Sequence, residues 1–359
     1  MKIAVLMGGV SSEREVSLRS GMAILNSLKD AGYDAVPIDA GPDVAQSLLA
    51  INPGVALVAL HGGWGENGSI QGLLEVLSIP YTGSGVLASA MAMDKFMSKV
   101  VFMQRGINVS PFVVLDADTH DVPVQSQKPV TVPRLMPWPK PWPMPWIVKP
   151  CAEGSSIGIN VVRSDEQFGK AVAEAMSFGG KVLVEKFITG KEIQVGVLGG
   201  KVLGSVEIRP SGEFYDYKSK YTSGCTQYVL PPSADAASME RVEDMSLKAY
   251  AALGCKGVAR VDVILSGEGD VYVLEVNTLP GMTGLSLVPM IAQRAGYSFL
   301  ALIEEILLDA INGPSGTDCG QAGMTNSGRL SGERSAQDHA IINQTGINQA
   351  GICKVTTTV

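Results

Sequence analysis

Apolar residues near the start of the chain follow two different spacings. Unbroken or two-residue spacing predicts strands, whereas three- and four-residue spacing predicts helices. In the order strand, helix, strand, strand, helix, the predicted segments are residues 2–7, 13–31, 35–39, 55–60 and 71–77. Such βαβ alternation predicts a parallel sheet whose ligands bind at the carboxyl ends of its strands.

The clearest alternation lies between residues 257 and 277, where ARVDVIL, SGEGD and VYVLEVN predict two strands joined by a turn. Side chains two residues apart share one face of a strand, so Arg260 lies beside Asp262, and Glu275 beside Asn277. Facing each other, Asp262, Glu275 and Asn277 offer the oxygen ligands that Mg²⁺ takes together with substrate phosphates. A solvated polar face is the alternative. Apolar residues nearly fill both strands, which favours a buried hairpin whose carboxylates need a cation.

Three polar motifs follow predicted strands: GGVSSEREVSLRSG, HGGWGENGSIQGLLE and KPCAEGSSIG. A glycine turn that leads into a helix N-terminus often binds an anion, although no dinucleotide or Walker A motif is present. From residue type alone, Glu13 either complements the helix N-terminus or contacts a ligand, and His61 is structural. Lys149 ends a buried strand, and the glycine-serine loop after it can fold its N–H groups over phosphate oxygens.

Three segments depart from the regular pattern. Residues 116–146 are dense in proline, which excludes a helix and predicts an extended surface insertion. Its tryptophans either form a docking surface or, as we favour, fasten the insertion to its own domain; they are Trp138, Trp142 and Trp146. Residues 213–232 are polar and aromatic, as is typical of a mobile lid. Residues 313–359 have no sustained periodicity and predict a disordered tail.

Charge and cysteine usage restrict the class of protein further. The formal net charge of −7 argues against a nucleic-acid-binding protein. The five cysteines are scattered and show no metal-binding spacing, which suits a reducing cytoplasm. The start, MKIAVLMGG, reads as a strand that runs into glycines rather than as a signal peptide, and no membrane-spanning apolar run is present. We therefore expect a soluble cytoplasmic protein that binds neither nucleic acid nor membrane.

Six motifs within residues 1–312 resemble, in order and spacing, those of D-alanine–D-alanine ligases, which belong to the ATP-grasp superfamily. They are GGVSSEREVS, HGGWGENG, MDK, KPCAEGSSIG, YDYKSKY and RVD followed by LEVNTLPGMT. The resemblance implies an α/β fold, with a Rossmann-like N-terminal domain followed by the two-domain ATP-grasp fold. The implied domains are residues 1–94, a central domain at 95–184 that carries the insertion 116–146, and a C-terminal catalytic domain at 185–312. Nothing in the family corresponds to the tail.

The resemblance also assigns site residues. Those implied to contact ATP are Lys95, Lys149, Ser155, Ser156, Glu185, Lys186, Ile188, Glu192 and Lys220. Those implied to bind the amino-acid substrates are Glu13, His61, Ser286 and Leu287. Those implied to act in catalysis are Glu13, Ser155, Lys220, Tyr221, Arg260, Gly281 and Ser286. The implied metal ligands are Asp262, Glu275 and Asn277, which hold two Mg²⁺ ions for which Mn²⁺ can substitute.

The implied activity is the ATP-dependent joining of two D-alanines through a D-alanyl phosphate, for peptidoglycan precursor synthesis, by a homodimer. Tyr221 stands where the related D-alanine–D-lactate ligases usually have histidine, which favours an amine as the second substrate. Two alternatives stay open at this point. One is an ATP-grasp ligase with D-serine or D-lactate as acceptor, and the other is a non-catalytic protein with a nucleotide-binding core.

Overall fold

A computed structural model gives the structure of residues 1–116, 142–154, 157–210, 226–284 and 286–312. The strands of these residues are β1 Ile3–Met7, β2 Ala35–Asp39, β3 Val55–Val58, β4 Phe112–Asp116, β5 Trp146–Pro150, β6 Asn160–Val162, β7 Lys181–Lys186, β8 Gly190–Leu198, β9 Lys201–Pro210, β10 Thr226–Val229, β11 Val258–Ser266 and β12 Val271–Asn277. Their α-helices are α1 Arg14–Asp30, α2 Val44–Ile51, α3 Ser69–Val76, α4 Val86–Met93, α5 Lys95–Gln104, α6 Asp165–Met176, α7 Ala236–Ala252, α8 Leu287–Arg294 and α9 Phe299–Asn312.

The N-terminal sheet is parallel, in the strand order β2-β1-β3. The middle strand, β1, is buried along its whole length, which explains its unbroken apolar run. Helix α1 packs closely on β1 at Gly21, where an added Cβ would lie 2.4 Å from the Cβ of Met7. After β1 the chain turns at Gly8, whose φ of 76° is a left-handed conformation that glycine adopts without strain. The polar motifs after β1 and β3 therefore meet at the carboxyl edge of the sheet, as predicted.

The central sheet is antiparallel, in the order β4-β7-β5-β6, and α6 covers one of its faces. Ser164 caps α6, since its hydroxyl accepts a hydrogen bond from the Gln167 N–H at 3.4 Å. Trp146 is 1% exposed, and its ring meets the ring of Phe168 at 5.2 Å between centroids. Trp142 packs on the same apolar cluster, and its carbonyl accepts a hydrogen bond from the Trp146 indole at 3.1 Å. These two tryptophans thus fasten their segment to this sheet, as we favoured from the sequence.

The C-terminal sheet is antiparallel, in the order β10-β9-β8-β11-β12. The predicted hairpin of β11 and β12 is confirmed, and helix α7 packs against both strands. In its register Asp262 pairs with Glu275, and Arg260 pairs with Asn277. The pairing shifts between Asp262 and Val263, which is a bulge next to the polar pair. The four polar side chains of the hairpin therefore lie together as predicted.

Several predicted boundaries move by one or two residues. The helix predicted at 13–31 is Arg14–Asp30, and the strand predicted at 55–60 is Val55–Val58. The helix predicted at 71–77 is Ser69–Val76. Terminal turns fray and are the least well determined by an apolar pattern.

Apart from Met1, the described residues belong to one unit of the chain, Lys2–Cys319. Its division into three domains remains a prediction. No helix among the described residues is long and apolar enough to cross a membrane. Most of the proline-rich insertion, most of the predicted lid and the tail lie outside the described residues, as do four predicted site residues: Ser155, Ser156, Lys220 and Tyr221.

Candidate active site

The β11–β12 hairpin contributes to the walls of two cavities. The larger, of about 790 Å³, is lined by the polar motifs of the N-terminal sheet and by the loop after β12. The smaller, of about 390 Å³, is lined by residues of the central and C-terminal sheets. Lys95 and Glu275 line both, so the large cavity and the small cavity meet at these two side chains.

The large cavity brings together residues from three distant parts of the sequence. The predicted site residues that line it are Glu13, His61, Lys95, Arg260, Glu275, Asn277, Gly281, Ser286 and Leu287. Every described residue that was predicted to bind an amino-acid substrate or to act in catalysis is in this set. The structure therefore places all of these residues around one cavity.

The Glu13 carboxylate lies where two glycines leave room for it. An added Cβ would lie 2.7 Å from Glu13 Oε2 at Gly62 and 3.1 Å from it at Gly154. Ser11 joins the two N-terminal motifs, because its hydroxyl accepts a hydrogen bond from the Glu13 N–H at 3.2 Å and donates one to the His61 carbonyl at 2.6 Å. Glu13 directly precedes α1 and presents its negative charge to the large cavity.

His61 is buried and takes part in a hydrogen-bond chain. Its Nε2 lies 3.1 Å from the hydroxyl of Ser20, which also accepts a hydrogen bond from the backbone N–H of Met282 at 3.3 Å. The Met282 N–H can only donate, whereas the direction of the contact between the Ser20 hydroxyl and His61 Nε2 depends on the tautomer of the ring. The other ring nitrogen, Nδ1, faces the Glu66 carboxylate at 3.7 Å. The chain of contacts joins helix α1 to the loop after β12.

Arg260 and Asp262 form a pair along one face of β11. Arg260 Nε lies 2.7 Å from Asp262 Oδ1, and Nη2 lies 2.9 Å from Oδ2. Two parallel hydrogen bonds fix the plane of a guanidinium, so Arg260 is held rigidly at the wall of the large cavity. Glu275, opposite Asp262 in the hairpin, lies 3.3 Å from the ammonium of Lys95.

The loop between β12 and α8 folds around the hydroxyl of Ser286. That hydroxyl accepts a hydrogen bond from the Thr283 N–H at 3.0 Å and lies 2.9 Å from the Thr283 hydroxyl. An added Cβ on Gly281 would lie 2.8 Å from Ser286 Oγ, so only glycine allows this approach. Ser286 and Leu287 stand at the N-terminus of α8, where backbone N–H groups attract an anion.

The small cavity combines apolar walls with charged groups. The residues predicted to contact ATP that line it are Lys95, Lys149, Glu185, Lys186, Ile188 and Glu192. Its apolar walls include Ile147, Ile159, Ile208 and Leu274. Apolar walls with a few convergent charges suit a cofactor that has an aromatic base and an anionic end.

Glu185 lies between two lysines at this cavity. Its Oε1 is 2.6 Å from the ammonium of Lys99, and its Oε2 is 2.7 Å from the ammonium of Lys149. Burial raises the pKa of Glu185, but the charges and hydrogen bonds of the two lysines outweigh it and leave the pKa at about 2. Burial lowers the pKa of Lys99, and the charge of Glu185 acts against that shift. The carboxylate is therefore ionised throughout the neutral range.

No group of three or more His, Cys, Asp and Glu side chains in the described part of the chain is placed to hold a metal ion. The predicted ligand set is of another kind. Asp262 and Glu275 are two opposed carboxylates that line the small cavity, and Asn277 adds an amide that lines the large one. The Asn277 side-chain oxygen accepts a hydrogen bond from the Leu279 N–H at 3.0 Å. Such a set fits Mg²⁺, which completes its coordination with substrate phosphates.

Two residues of the site escaped the sequence analysis, Lys99 and Ser20. Lys99 had a detectable signal, because the buried residues of α5 have the spacing of one helix face: Lys95, Ser98, Lys99 and Phe102. Ser20 had none, since its partner Met282 is 262 residues away in the chain.

A cavity with apolar walls and lysines, joined to a polar cavity beside opposed carboxylates, suits an enzyme that brings a nucleotide and a second substrate together. Family models described as D-ala D-ala ligase C-terminus and D-ala D-ala ligase N-terminus match residues 101–308 and 42–84. The chain belongs to the D-alanine–D-alanine ligase family.

Known relatives are similar over nearly their whole length. The chain is 48% identical over 306 residues to a D-alanine–D-alanine ligase of Citrifermentans bemidjiense, which covers 85% of this chain and 95% of the relative. It is 46% identical over 311 residues to the D-alanine–D-alanine ligase of Geobacter sulfurreducens, and this match covers 86% of this chain and 94% of the relative.

Solved structures confirm the predicted fold class. The D-alanine–D-alanine ligase from Bacillus anthracis complexed with ATP is similar with a TM-score of 0.71 and 34% identity, and the match covers 87% of this chain and 97% of that one. The VanG D-Ala:D-Ser ligase from Enterococcus faecalis is similar with a TM-score of 0.72 and 27% identity, over 86% and 99% of the two chains.

Proposed function

We propose that this chain joins two D-alanines to D-alanyl-D-alanine, with conversion of ATP to ADP and phosphate, and so supplies peptidoglycan precursor synthesis. The observation that carries the proposal is the junction of the two cavities at Lys95 and Glu275. A reaction that moves a phosphoryl group from ATP to an amino-acid carboxylate needs two sites in contact, one for each substrate. The family of the chain gives the identity of the substrates.

In this proposal the small cavity holds ATP. The adenine lies between the apolar walls, next to Lys186 and Ile188, and the Glu192 carboxylate accepts hydrogen bonds from the ribose hydroxyls. Lys149 and Lys95 extend their ammonium groups toward the phosphates. Both lysines are almost fully buried, so their charges act on the phosphates through little water.

The first D-alanine binds in the large cavity with its ammonium toward Glu13. Its carboxylate oxygen attacks the γ-phosphorus of ATP, so an O–P bond forms, the bond from that phosphorus to ADP breaks, and D-alanyl phosphate results. Lys95 lines both cavities and is the residue best placed to neutralise charge during this transfer.

The second D-alanine binds with its carboxylate at Ser286 and the Leu287 amide. Its amine attacks the carbonyl carbon of D-alanyl phosphate and loses a proton, a C–N bond forms, and phosphate leaves. Arg260 and the N–H groups of the Gly281 turn stabilise the oxyanion of the tetrahedral intermediate. A well-placed donor of this kind typically lowers the barrier by about 3–4 kcal/mol.

Asp262, Glu275 and Asn277 are the residues that would hold Mg²⁺, with two ions expected. When bound, Mg²⁺ supplies neutralisation of the triphosphate charge. Arg260 keeps the Asp262 carboxylate oriented, and Glu275 lies between Lys95 and the hairpin partner Asp262. Two carboxylates with phosphate oxygens are a common Mg²⁺ arrangement, and this supports the assignment.

Two wider features belong to the same proposal. We expect the enzyme to be cytoplasmic, where ATP and D-alanine are available. We also expect a homodimer, which light scattering of the purified protein would measure directly.

The proposal is tested with Mg-ATP and D-alanine alone, D-alanine with D-serine, and D-alanine with D-lactate. ADP release is measured, and the products are identified by mass. We expect D-alanyl-D-alanine from D-alanine alone, with release abolished in Glu275→Gln. Glu166→Gln is the matched control, because Glu166 is an exposed glutamate of α6.

The outcomes separate the remaining possibilities. A mixed product formed in preference to D-alanyl-D-alanine would keep the ligase chemistry and replace the second substrate. The similarity to the VanG D-Ala:D-Ser ligase makes D-serine the acceptor to compare. Tight binding of Mg-ATP without turnover on any acceptor would favour a non-catalytic protein.

A further inference from the structure

Lys99 is a buried cation that the proposed mechanism does not use. Its side chain is 0% exposed, although a lysine is rarely buried completely without a specific partner. It lies on α5 one turn after Lys95, on the same inward face of the helix. Removing an ammonium from water is unfavourable, so its surroundings must offset that cost.

Those surroundings are built by the central sheet. In its register Phe112 of β4 and Ile147 of β5 flank Glu185 of β7, one on each side. Lys149 is two residues beyond Ile147 and thus shares its face, diagonal to Glu185. The Lys99 ammonium lies 2.6 Å from Glu185 Oε1 and 5.6 Å from the centre of the Phe112 ring. A carboxylate and an aromatic face together make a binding site for a cation.

Glu185 divides its two oxygens between two lysines. Oε1 faces Lys99, which is outside both cavities, and Oε2 faces Lys149, which lines the small cavity. Two ammonium groups and one carboxylate leave one net positive charge at the wall of that cavity. Without Lys99, both oxygens of Glu185 would be available to Lys149, and the cluster would become neutral.

We propose that Lys99 is a positioning residue for ATP: it holds one oxygen of Glu185, so that the other oxygen holds the Lys149 ammonium at the wall of the small cavity. The proposal rests on the proposed function only in taking the small cavity as the ATP site. Lys99 itself touches no substrate. Its effect is to keep Lys149 oriented and to keep the cluster positively charged, both of which favour an anionic ligand.

The first test is Lys99→Met, which removes the charge and keeps the length of the side chain. We expect the Michaelis constant for ATP to rise about tenfold, as is typical when the partner of a ligand-binding side chain is removed. The constant for D-alanine should stay unchanged, because Lys99, Glu185 and Lys149 do not line the large cavity. Lys170→Met is the matched control, since Lys170 is an exposed helix lysine paired with Glu166.

A second variant separates positioning from stability. Phe112→Leu removes the aromatic face that Lys99 contacts but keeps all three charges of the cluster. We expect it to lower the urea midpoint without a change in the Michaelis constant for ATP, because Phe112 lines neither cavity. A rise in the Michaelis constant for ATP in Phe112→Leu as large as in Lys99→Met, or equal rises in the constants for ATP and D-alanine in Lys99→Met, would show a structural role alone and overturn the proposal.

Direct titration calorimetry with Mg-ATP keeps this test independent of ligase turnover. A wild-type protein that binds Mg-ATP but forms no D-alanyl-D-alanine would contradict the proposed function, and weaker binding by Lys99→Met would still support the positioning role. Equal affinity of Lys99→Met and Lys170→Met for Mg-ATP would overturn the positioning role while ligase activity stands.

Discussion

Replacing Gly281 with alanine changes the large cavity through one contact. The new Cβ would lie 2.8 Å from Ser286 Oγ, a distance at which one of the two groups must move. The φ of Gly281 is outside the left-handed region, so an alanine there meets no backbone strain. The hydroxyl of Ser286 must therefore turn away, and its contacts with the Thr283 N–H at 3.0 Å and the Thr283 hydroxyl at 2.9 Å are lost.

The size of the effect differs between stability and catalysis. A hydrogen bond of this kind contributes about 1 kcal/mol, so Gly281→Ala should lower the free energy of unfolding by about 1–2 kcal/mol. Without the hydrogen bond from the Thr283 N–H to the Ser286 hydroxyl, the Gly281 turn that carries the proposed oxyanion donors loses a contact that holds it in place. Loss of one such donor lowers kcat by about 100- to 1000-fold. The catalytic effect should thus far exceed what instability alone produces at room temperature.

The assay couples ADP release to a spectrophotometric readout, with D-alanine varied at saturating ATP and then the reverse. Urea denaturation of the same samples gives the free energy of unfolding. Gly267→Ala in the turn of the β11–β12 hairpin is the matched control, because an added Cβ there has no heavy atom within 4 Å. The Michaelis constant for ATP should not change in either variant, since Gly281 does not line the small cavity.

Two results would refute this reasoning. If kcat of Gly281→Ala equals that of Gly267→Ala while stability falls as expected, the Gly281 turn is not the oxyanion site. If neither kcat nor stability changes, then Ser286 tolerates the new methyl group and the close approach has no energetic consequence.

Three further changes test other contacts of the structure. Ser20→Ala removes the acceptor of the Met282 N–H, so kcat should fall about tenfold without a change in the Michaelis constant for ATP. A tenfold rise in the Michaelis constant for ATP would contradict this prediction. Lys95→Met should raise the Michaelis constants for both substrates, because Lys95 lines both cavities, and a change for ATP alone would count against the shared position. Burial raises the pKa of Glu207, but hydrogen bonds, first from Arg209, leave it at about 2. A carboxyl group whose pKa is lowered by folding stabilises the fold at pH values above its ordinary pKa of about 4.3. That stabilisation is lost as the pH falls from there toward 2. Glu207→Gln should flatten the acid side of a plot of unfolding free energy against pH, and an unchanged slope would contradict the prediction.

The hairpin of β11 and β12 shows what the sequence can predict. Its alternation fixes which side chains share a face, and the turn at SGEGD fixes the register within a residue or two. The pairing of Asp262 with Glu275 and of Arg260 with Asn277 follows from these local rules. The bulge after Asp262 did not follow, because nothing in the alternation marks the residue at which the pairing shifts.

The cluster of Lys99, Glu185 and Lys149 shows where local rules end. Each residue is unremarkable in its own segment: a lysine in a helix, a glutamate at the end of one strand and a lysine at the end of another. Their contact depends on how α5 lies against the central sheet, and that packing is set by many distant apolar residues. The resemblance suggested that Glu185 and Lys149 contact ATP, but it gave no reason to expect that a third, fully buried charge holds them.

The site therefore depends on contacts between segments that fold by separate local patterns. Ser20 of α1 binds the backbone at Met282, and Lys95 of α5 lies 2.7 Å from the carbonyl of Glu153 and 3.3 Å from Glu275. These contacts join the parallel sheet to the loop after β12, and α5 to both antiparallel sheets. Because one cavity must meet the other for phosphoryl transfer, the residues at such junctions are constrained by two substrates at once. This explains why those motifs of the family resemblance that fall on described residues are short, far apart in the chain and adjacent in the folded protein.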